Sequence, residues 1–154
     1  MAQQPRLFLD ASVLIAALAS EGGASRVILV LAEVGLVKPV VCPYVLQEVE
    51  RNLAKKLPAL LPLYRQLLER LPFEIVDNPP PPEVQRWTAV IAPKDAPVLA
   101  AAVAANPHRL VTLDTHDFLS SPQVAQQSGL VICTPGDLIR QVRTLLVSGL
   151  SSRD

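Results

Sequence analysis

Short apolar runs alternate with longer segments of helical periodicity along most of the chain. The runs predict five strands, at residues 6–9, 38–42, 73–76, 110–113 and 130–133. Proline or glycine borders four of them and interrupts regular structure there. Because the runs lack the in–out alternation of a half-exposed sheet, they are typical of parallel strands covered on both faces.

The segments between the strands carry the spacing of helices. Helices are predicted at residues 12–19, 24–34, 43–57, 59–70, 83–91, 96–106 and 135–146. The helix at 96–106 is almost free of polar side chains, so we expect it to be buried. Strands separated by helices predict an α/β/α sandwich, and 154 residues suit one domain of ordinary size.

Composition excludes several classes of protein. Fourteen Lys and Arg balance fourteen Asp and Glu, so any binding of nucleic acid must come from a local patch. Two cysteines and two histidines are too few for a disulfide scaffold or a histidine-rich zinc site. The N-terminus lacks the layout of a signal peptide, and Glu33 and Lys38 interrupt the longest apolar stretch. We therefore expect a cytoplasmic protein with no membrane partner.

Carboxylates follow two of the predicted strands directly. Asp10 ends the first strand and Asp114 ends the fourth, with Asp117 three residues later. In open parallel sheets the functional crevice lies outside the carboxyl ends of the strands, where the strand order reverses. If strands one and four are neighbours, Asp10 and Asp114 face each other there. The alternative is structural, because Asp also caps helices and forms turns.

Two further acids arrive from helices. Glu48 lies in a helix between apolar positions, and Asp95 stands at the N-terminus of the alanine-rich helix. Two unit charges ~4 Å apart repel by about 4 kcal/mol at an effective dielectric constant of ~20. Converging carboxylates therefore need a cation, bound protons or a positive neighbour. Oxygen ligands around an open site suit Mg²⁺ or Mn²⁺.

Four segments, in this order, resemble the motifs of PIN-domain nucleases. They are FLDASVLI at 8–15, Glu48, KDAPVLAAA at 94–102 and VTLDTHDF at 111–118. The resemblance covers roughly residues 6–138. It implies a single PIN-like domain over 1–154, with its core at about 6–147 and a five-stranded parallel sheet of order 3-2-1-4-5. It also implies metal-dependent hydrolysis of RNA, as in VapC-type toxins that an antitoxin neutralises, and a homodimer.

The resemblance also assigns roles to individual residues. Asp10, Glu48, Asp95 and Asp114 take the positions of the catalytic and metal-binding acids, and Asp117 matches an additional metal ligand. Ser12 and Thr112 occupy the supporting polar positions. The implied reaction is attack of a metal-activated water on a phosphodiester, with Mg²⁺ or Mn²⁺ as cofactor.

Substrate contacts are predicted on a basic helix face. Arg51 and Lys55 share the face of Glu48, and Lys94 adjoins Asp95, so these cations can hold RNA phosphates beside the metal. The alternative is a solvated face whose cations pair with Glu48 and Glu50.

Two other functions compete with the nuclease. One is a PIN-like module that binds RNA or protein without cutting, which loss of an acid would signal. The other is a phosphoryl-transfer domain of a different α/β family. A haloacid-dehalogenase-like phosphatase needs Asp at position 12, where this chain has Ser12, and a response-regulator receiver needs paired acids after the first strand. The residues favour the nuclease.

Overall fold

Five parallel strands form one sheet in the computed structural model, which describes residues 4–151, with side-chain detail for residues 4–144. The strands are β1 Arg6–Leu9, β2 Lys38–Val41, β3 Glu74–Ile75, β4 Arg109–Val111 and β5 Ile132–Cys133. Their order is β3-β2-β1-β4-β5, which confirms the predicted order 3-2-1-4-5. The order reverses between β1 and β4, as predicted, so the carboxyl ends of these neighbouring strands form the switch point of the sheet. Residues 1–3 and 152–154 of the predicted domain lie outside the described residues.

Helices cover both faces of the sheet, which confirms the α/β/α architecture. They are α1 Ala11–Ala19, α2 Ala24–Glu33, α3 Pro43–Lys56, α4 Leu61–Arg70, α5 Pro81–Trp87, α6 Ala96–Ala105, α7 Pro122–Ser128 and α8 Pro135–Ser151. The predicted helix at 59–70 is divided, because a 3₁₀ turn at Pro58–Leu60 precedes α4. The helix predicted at 83–91 begins earlier and ends earlier. Proline at its first turn costs no hydrogen bond, since that N–H has no intrahelical partner.

Two elements between β4 and β5 were not predicted. A π-helical turn at Thr115–Leu119 follows β4, and α7 comes next. Phe118 and Val124 are the apolar anchors of these two elements, and one buried residue each gives no readable periodicity. The π-helical turn matters for the candidate site, because it contains Asp117 and begins directly after Asp114, which caps it.

Small side chains allow α6 to pack closely on the sheet. Ala96, Ala100, Ala101 and Ala102 are all buried, as the sequence predicted for this helix. Residues 7–9 of β1 are also fully covered. Within residues 4–151 no single helix combines the length and apolar composition of a membrane span. Helices α1 and α2 reach them only as a pair, and they are bent by 97°.

Candidate metal centre

Asp10 sits where β1 passes into α1, at the carboxyl edge of the sheet. Its backbone N–H donates to the carbonyl of Val111 (3.1 Å), which extends the β1–β4 ladder to the position of the acid. Its Oδ1 accepts from the N–H of Ala11 (2.8 Å), so Asp10 does cap α1. The side chain is buried, with 7% of the residue exposed. The capping alternative is therefore structurally real, and it leaves the second carboxylate oxygen for other partners.

Two hydroxyl groups join Asp10 to the end of β4. The hydroxyl of Thr112 donates to Asp10 Oδ2 (2.8 Å) and accepts from the N–H of Asp114 (3.0 Å). The hydroxyl of Ser12 donates to the same Oδ2 (2.9 Å) and accepts from the N–H of Leu113 (3.1 Å). Both residues therefore fix the loop that carries Asp114 relative to Asp10, which is the supporting position predicted for them.

The pKa of Asp10 reflects this environment. Burial raises the pKa of the carboxyl, and the charge of Asp114 adds to the increase. The hydrogen bonds from Thr112, Ser12 and Ala11 oppose it by stabilising the carboxylate. The hydroxyl groups thus offset part of the effect of burial, which favours the neutral form.

The loop after β4 turns back on itself and brings two acids together. Asp114 Oδ1 accepts from the N–H of Asp117 (3.0 Å) at the start of the π-helical turn. The ring of His116, next to it, is 93% exposed in its side chain and contacts only Asp117 Oδ1 (3.0 Å) among the described residues. His116 therefore faces solvent.

Asp95, Asp114 and Asp117 form a tight acidic group within the described part of the chain. One carboxylate oxygen from each lies within 4.8 Å of the other two. Asp95 begins α6 without a side-chain capping bond, and its Oδ2 is buried and accepts no hydrogen bond from the part of the chain that the structure describes. A buried carboxylate oxygen without a donor is costly, so this atom is suited to a ligand.

Mutual repulsion and burial separate the pKa values in this group. Burial, followed by the contact with Asp117 and the charges of Asp114 and Asp117, raises the pKa of Asp95 to about 7. The contact with Asp95, together with His116 and Lys94, lowers the pKa of Asp117 to about 2. Nζ of Lys94 lies 3.3 Å from Asp117 Oδ2 and partly compensates the negative charge. Without a cation, a pKa of about 7 leaves Asp95 protonated in about half of the molecules at neutral pH.

Glu48 and Asp10 lie beside this group rather than inside it. Glu48 is half-buried on α3, and burial raises its pKa, as does the charge of Asp10. The charges of Arg51 and Lys94 act in the opposite direction. Of the five predicted acids, three thus come within 4.8 Å of one another. Asp10 is linked to Asp114 through charge and through the Thr112 bridge, while Glu48 interacts through charge with Asp10 and Lys94.

The predicted substrate cations occupy different settings. Lys94 stands at the rim of the acidic group, in contact with Asp117. Arg51 and Lys55 are exposed on α3, and neither forms an ion pair among residues 4–144. The pairing with Glu48 and Glu50 that the solvated-face alternative requires is therefore missing from this part of the chain.

The donor set fits a hard divalent cation. The three residues offer only carboxylate oxygens as ligands, and one of these, Oδ2 of Asp95, accepts no hydrogen bond from the described residues. The neighbouring Lys94 compensates only one of the negative charges. Mg²⁺ and Mn²⁺ prefer oxygen ligands of this kind, with water completing the coordination. Asp95, Asp114 and Asp117 are the residues that would hold the ion.

Two residues near the acids were not singled out from the sequence. The hydroxyl of Tyr44 donates to the carbonyl of Lys94 (3.2 Å), and Oδ1 of Asn78 accepts from the N–H of Tyr44 (2.9 Å). Tyr44 precedes Glu48 by four residues on one helix face, which is a signal that the spacing contained. Asn78 has no such signal, because its contact lies 34 residues away along the chain.

Comparisons with known proteins agree with this architecture. A family model described as PIN domain matches residues 6–116. No curated protein has significant sequence similarity to the chain. Similar solved structures include VapBC2 from Rickettsia felis bound to promoter DNA, with TM-score 0.60, 18% identity, and coverage of 84% of this chain and 98% of that chain. A toxin–antitoxin complex from Klebsiella pneumoniae has a TM-score of 0.58 and 18% identity, and the match covers 84% of this chain and 97% of that chain. DNA-bound VapBC from Salmonella typhimurium has a TM-score of 0.59 and 16% identity, and the match covers 86% of this chain and 99% of that chain.

Proposed function

The chain belongs to the PIN-domain family, and on that premise we propose that it is a metal-dependent ribonuclease of the VapC type. It would hydrolyse phosphodiester bonds of RNA at the acids around the ends of β1 and β4. The observation that carries the proposal is the convergence of Asp95, Asp114 and Asp117, with one buried oxygen that has no donor among the described residues. That arrangement is unfavourable in an empty protein and favourable around a cation.

Asp95, Asp114 and Asp117 are assigned as the residues that hold Mg²⁺ or Mn²⁺. When bound, such an ion lowers the pKa of a coordinated water and neutralises charge on the phosphate. Asp10 holds the Asp114 loop in place through Thr112 and adds negative charge behind the cluster. Glu48 lies on α3, where burial and the charge of Asp10 raise its pKa. A carboxylate with a raised pKa is suited to accept a proton during hydrolysis.

The cations supply the attraction for RNA. Lys94 stands at the rim of the cluster, where a phosphate must arrive, and Arg51 and Lys55 extend positive charge along α3. Because these side chains are exposed, they contribute phosphate contacts that position the strand without reading its sequence. This explains how a chain with balanced charges can still bind a polyanion.

A cleavage assay tests the proposal. Chelator-treated protein is incubated with end-labelled RNA and with DNA of the same sequence, without metal and with Mg²⁺ or Mn²⁺ added back. We expect cleavage of RNA that depends on added metal. Undiminished cleavage in excess chelator contradicts the metal centre, preferential cleavage of DNA contradicts the substrate, and binding without cleavage identifies the non-cleaving module instead.

We further propose that the protein acts in the cytoplasm as a toxin with an antitoxin partner. The support is that similar structures are toxin–antitoxin complexes, and that α2 exposes an apolar strip. Val27, Val30 and Val34 are 40%, 48% and 63% exposed along this helix and its C-terminus. Co-expression with the product of an adjacent reading frame should give a stable complex that lacks nuclease activity. Light scattering of the free protein tests the homodimer that the sequence predicts.

A further inference from the structure

A cleft of about 400 Å³ opens beside the acidic group, between the start of α3 and the start of α5. Its walls are Pro79, Pro81, Pro97 and Val84. Three polar side chains complete the lining, and they are Tyr44, Asn78 and Gln85. Every one of these residues is uncharged, although the cleft adjoins a strongly acidic group. We call it the neutral cleft.

The neutral cleft is continuous with the metal centre along two helices. Tyr44 and Glu48 are four residues apart on α3, which is about 6 Å along the helix axis. Pro97 follows Asp95 by two residues at the start of α6. The hydroxyl of Tyr44 also donates to the carbonyl of Lys94. The neutral cleft therefore lies next to the segment that carries Lys94 and Asp95.

Tyr44 is the aromatic side chain that the fold leaves at this edge. The sequence holds three Phe, two Tyr and one Trp. Four of these six are buried in the core, namely Phe8, Phe118, Trp87 and Tyr64. Phe73 precedes β3, at the amino edge of the sheet, away from the acids. Tyr44 is half-buried, and burial raises the pKa of its hydroxyl, with smaller contributions from the charges of Glu48 and Asp95.

The shape of the neutral cleft is held rigidly. Residues 79–82 are four consecutive prolines, and Pro80 has the extended backbone of a polyproline segment (φ −66°, ψ 151°). Oδ1 of Asn78 accepts from the N–H of Tyr44, which fixes this segment to the first turn of α3. The cleft is therefore preformed, and a ligand group that enters it does not have to order the walls.

We propose that the neutral cleft binds one nucleobase of single-stranded RNA, next to the phosphate that is cut. This rests on the proposed function and extends it to the positioning of the substrate. Tyr44 supplies the aromatic ring, the prolines and Val84 supply apolar walls, and the amides of Asn78 and Gln85 line the same cleft and offer hydrogen-bonding groups for the edge of the base. An uncharged lining suits a base and not a phosphate, which needs cations. Unstacked bases of single-stranded RNA are recognised by this combination of aromatic stacking and edge contacts.

The experiment combines abasic RNA with substitutions of Tyr44. A short RNA with a single cut site is prepared intact and with one abasic nucleotide at each position around that site. The wild type, Tyr44→Leu and Tyr44→Phe are compared. Tyr64→Phe is the matched control, because Tyr64 also donates its hydroxyl to a backbone carbonyl of α3, Leu46 O (3.1 Å), but lies outside the cleft.

At one position we expect the abasic RNA to lower kcat/KM of the wild type roughly fivefold or more, the usual effect of one stacked base. Tyr44→Leu should lose a similar factor on intact RNA and lose nothing further on RNA that is abasic at that position. Tyr44→Phe, which keeps the ring, should retain most of the effect of the base, and Tyr64→Phe should retain all of it. Equal losses by Tyr44→Leu on intact and abasic RNA would overturn the inference.

A binding measurement separates this inference from the proposed function. Fluorescence anisotropy in excess chelator compares the same RNAs with the same proteins, so that no cleavage is needed. A base-dependent affinity that Tyr44→Leu removes supports the neutral cleft, even if the wild type does not cut RNA. A wild type that cuts RNA without dependence on any flanking base supports the proposed function and overturns the neutral cleft. Thermal unfolding confirms that each variant is folded.

Discussion

Replacing Thr112 by Val tests the bridge between Asp10 and the loop that carries Asp114. The two side chains have nearly the same shape, and Thr112 is fully buried, so water cannot replace the lost hydroxyl. Asp10 Oδ2 loses a donor at 2.8 Å, and the N–H of Asp114 loses an acceptor at 3.0 Å. A hydrogen bond to a charged group contributes about 1.5–3 kcal/mol, and an unpaired buried donor adds about 1 kcal/mol or more. We therefore expect Thr112→Val to lower the free energy of unfolding by about 2–4 kcal/mol.

The loss should depend on pH, with a sign that follows from Asp10. Burial already raises the pKa of Asp10 in the folded protein, and the Thr112 hydroxyl opposes that increase. Removing the hydroxyl destabilises the ionised form of Asp10 most. As the pH falls through the folded-state pKa of Asp10, the carboxyl becomes neutral, and the cost should decrease toward about 2 kcal/mol, which is about 1 for a neutral hydrogen bond and about 1 for the unpaired N–H of Asp114.

Urea denaturation in excess chelator, at neutral and at mildly acidic pH, measures both effects. With a slope of about 2 kcal/mol per molar urea, the neutral-pH midpoint should fall by about 1–2 M. Thr112→Ser is the control, because it keeps the hydroxyl and loses one methyl group, at about 1 kcal/mol. A loss below about 0.5 kcal/mol for Thr112→Val, or a loss that grows at acidic pH, would refute the bridge as a stabilising element.

Three further outcomes are expected. Replacing Arg51 and Lys55 together by Ala should weaken binding of RNA and flatten its salt dependence by about one to two units of slope, and an unchanged slope would return them to the solvated face. Because the pKa of Asp95 is about 7, the affinity for Mn²⁺ measured by calorimetry should rise between about pH 6 and 8. The metal-free protein should become more stable as the pH falls through the same range. An affinity that does not change with pH would contradict this prediction. Asn78→Ala should cost about 0.5–2 kcal/mol of stability in thermal unfolding, because the N–H of Tyr44 loses its acceptor, whereas Asn78→Asp should cost little. Equal losses would contradict the contribution of this hydrogen bond.

The sheet and its reactive edge could be predicted because each follows from a local pattern. Asp10 and Asp114 both follow apolar runs, and parallel strands of that kind end at one edge of a sheet. The burial of α6 could be predicted in the same way, because a helix of small apolar residues can pack closely against a sheet. In these places one segment of sequence contains the whole signal.

The finer geometry could not be predicted, because it depends on contacts between distant segments. The π-helical turn that brings Asp117 beside Asp114 leaves no periodicity in the sequence. The hydroxyl groups of Ser12 and Thr112 bind Oδ2 of Asp10, and Asp10 is not part of the 4.8 Å group. The sequence therefore predicts that the acids lie at one edge of the sheet, but it does not predict which partner each carboxylate oxygen binds.

The central claim is that this acidic group holds the cation required to cut RNA, and Asp114→Asn tests it most directly. The amide can keep Oδ1 as acceptor for the N–H of Asp117, so the loop should remain folded, while one charge of the group is removed. Asp137→Asn is the control, since Asp137 forms the corresponding turn after β5, beside Thr134, and pairs with Arg140. At saturating Mg²⁺, cleavage by Asp114→Asn should fall at least about a hundredfold, a barrier increase of roughly 2.7 kcal/mol, while Asp137→Asn cuts like the wild type. Wild-type cleavage by a folded Asp114→Asn variant would contradict the account.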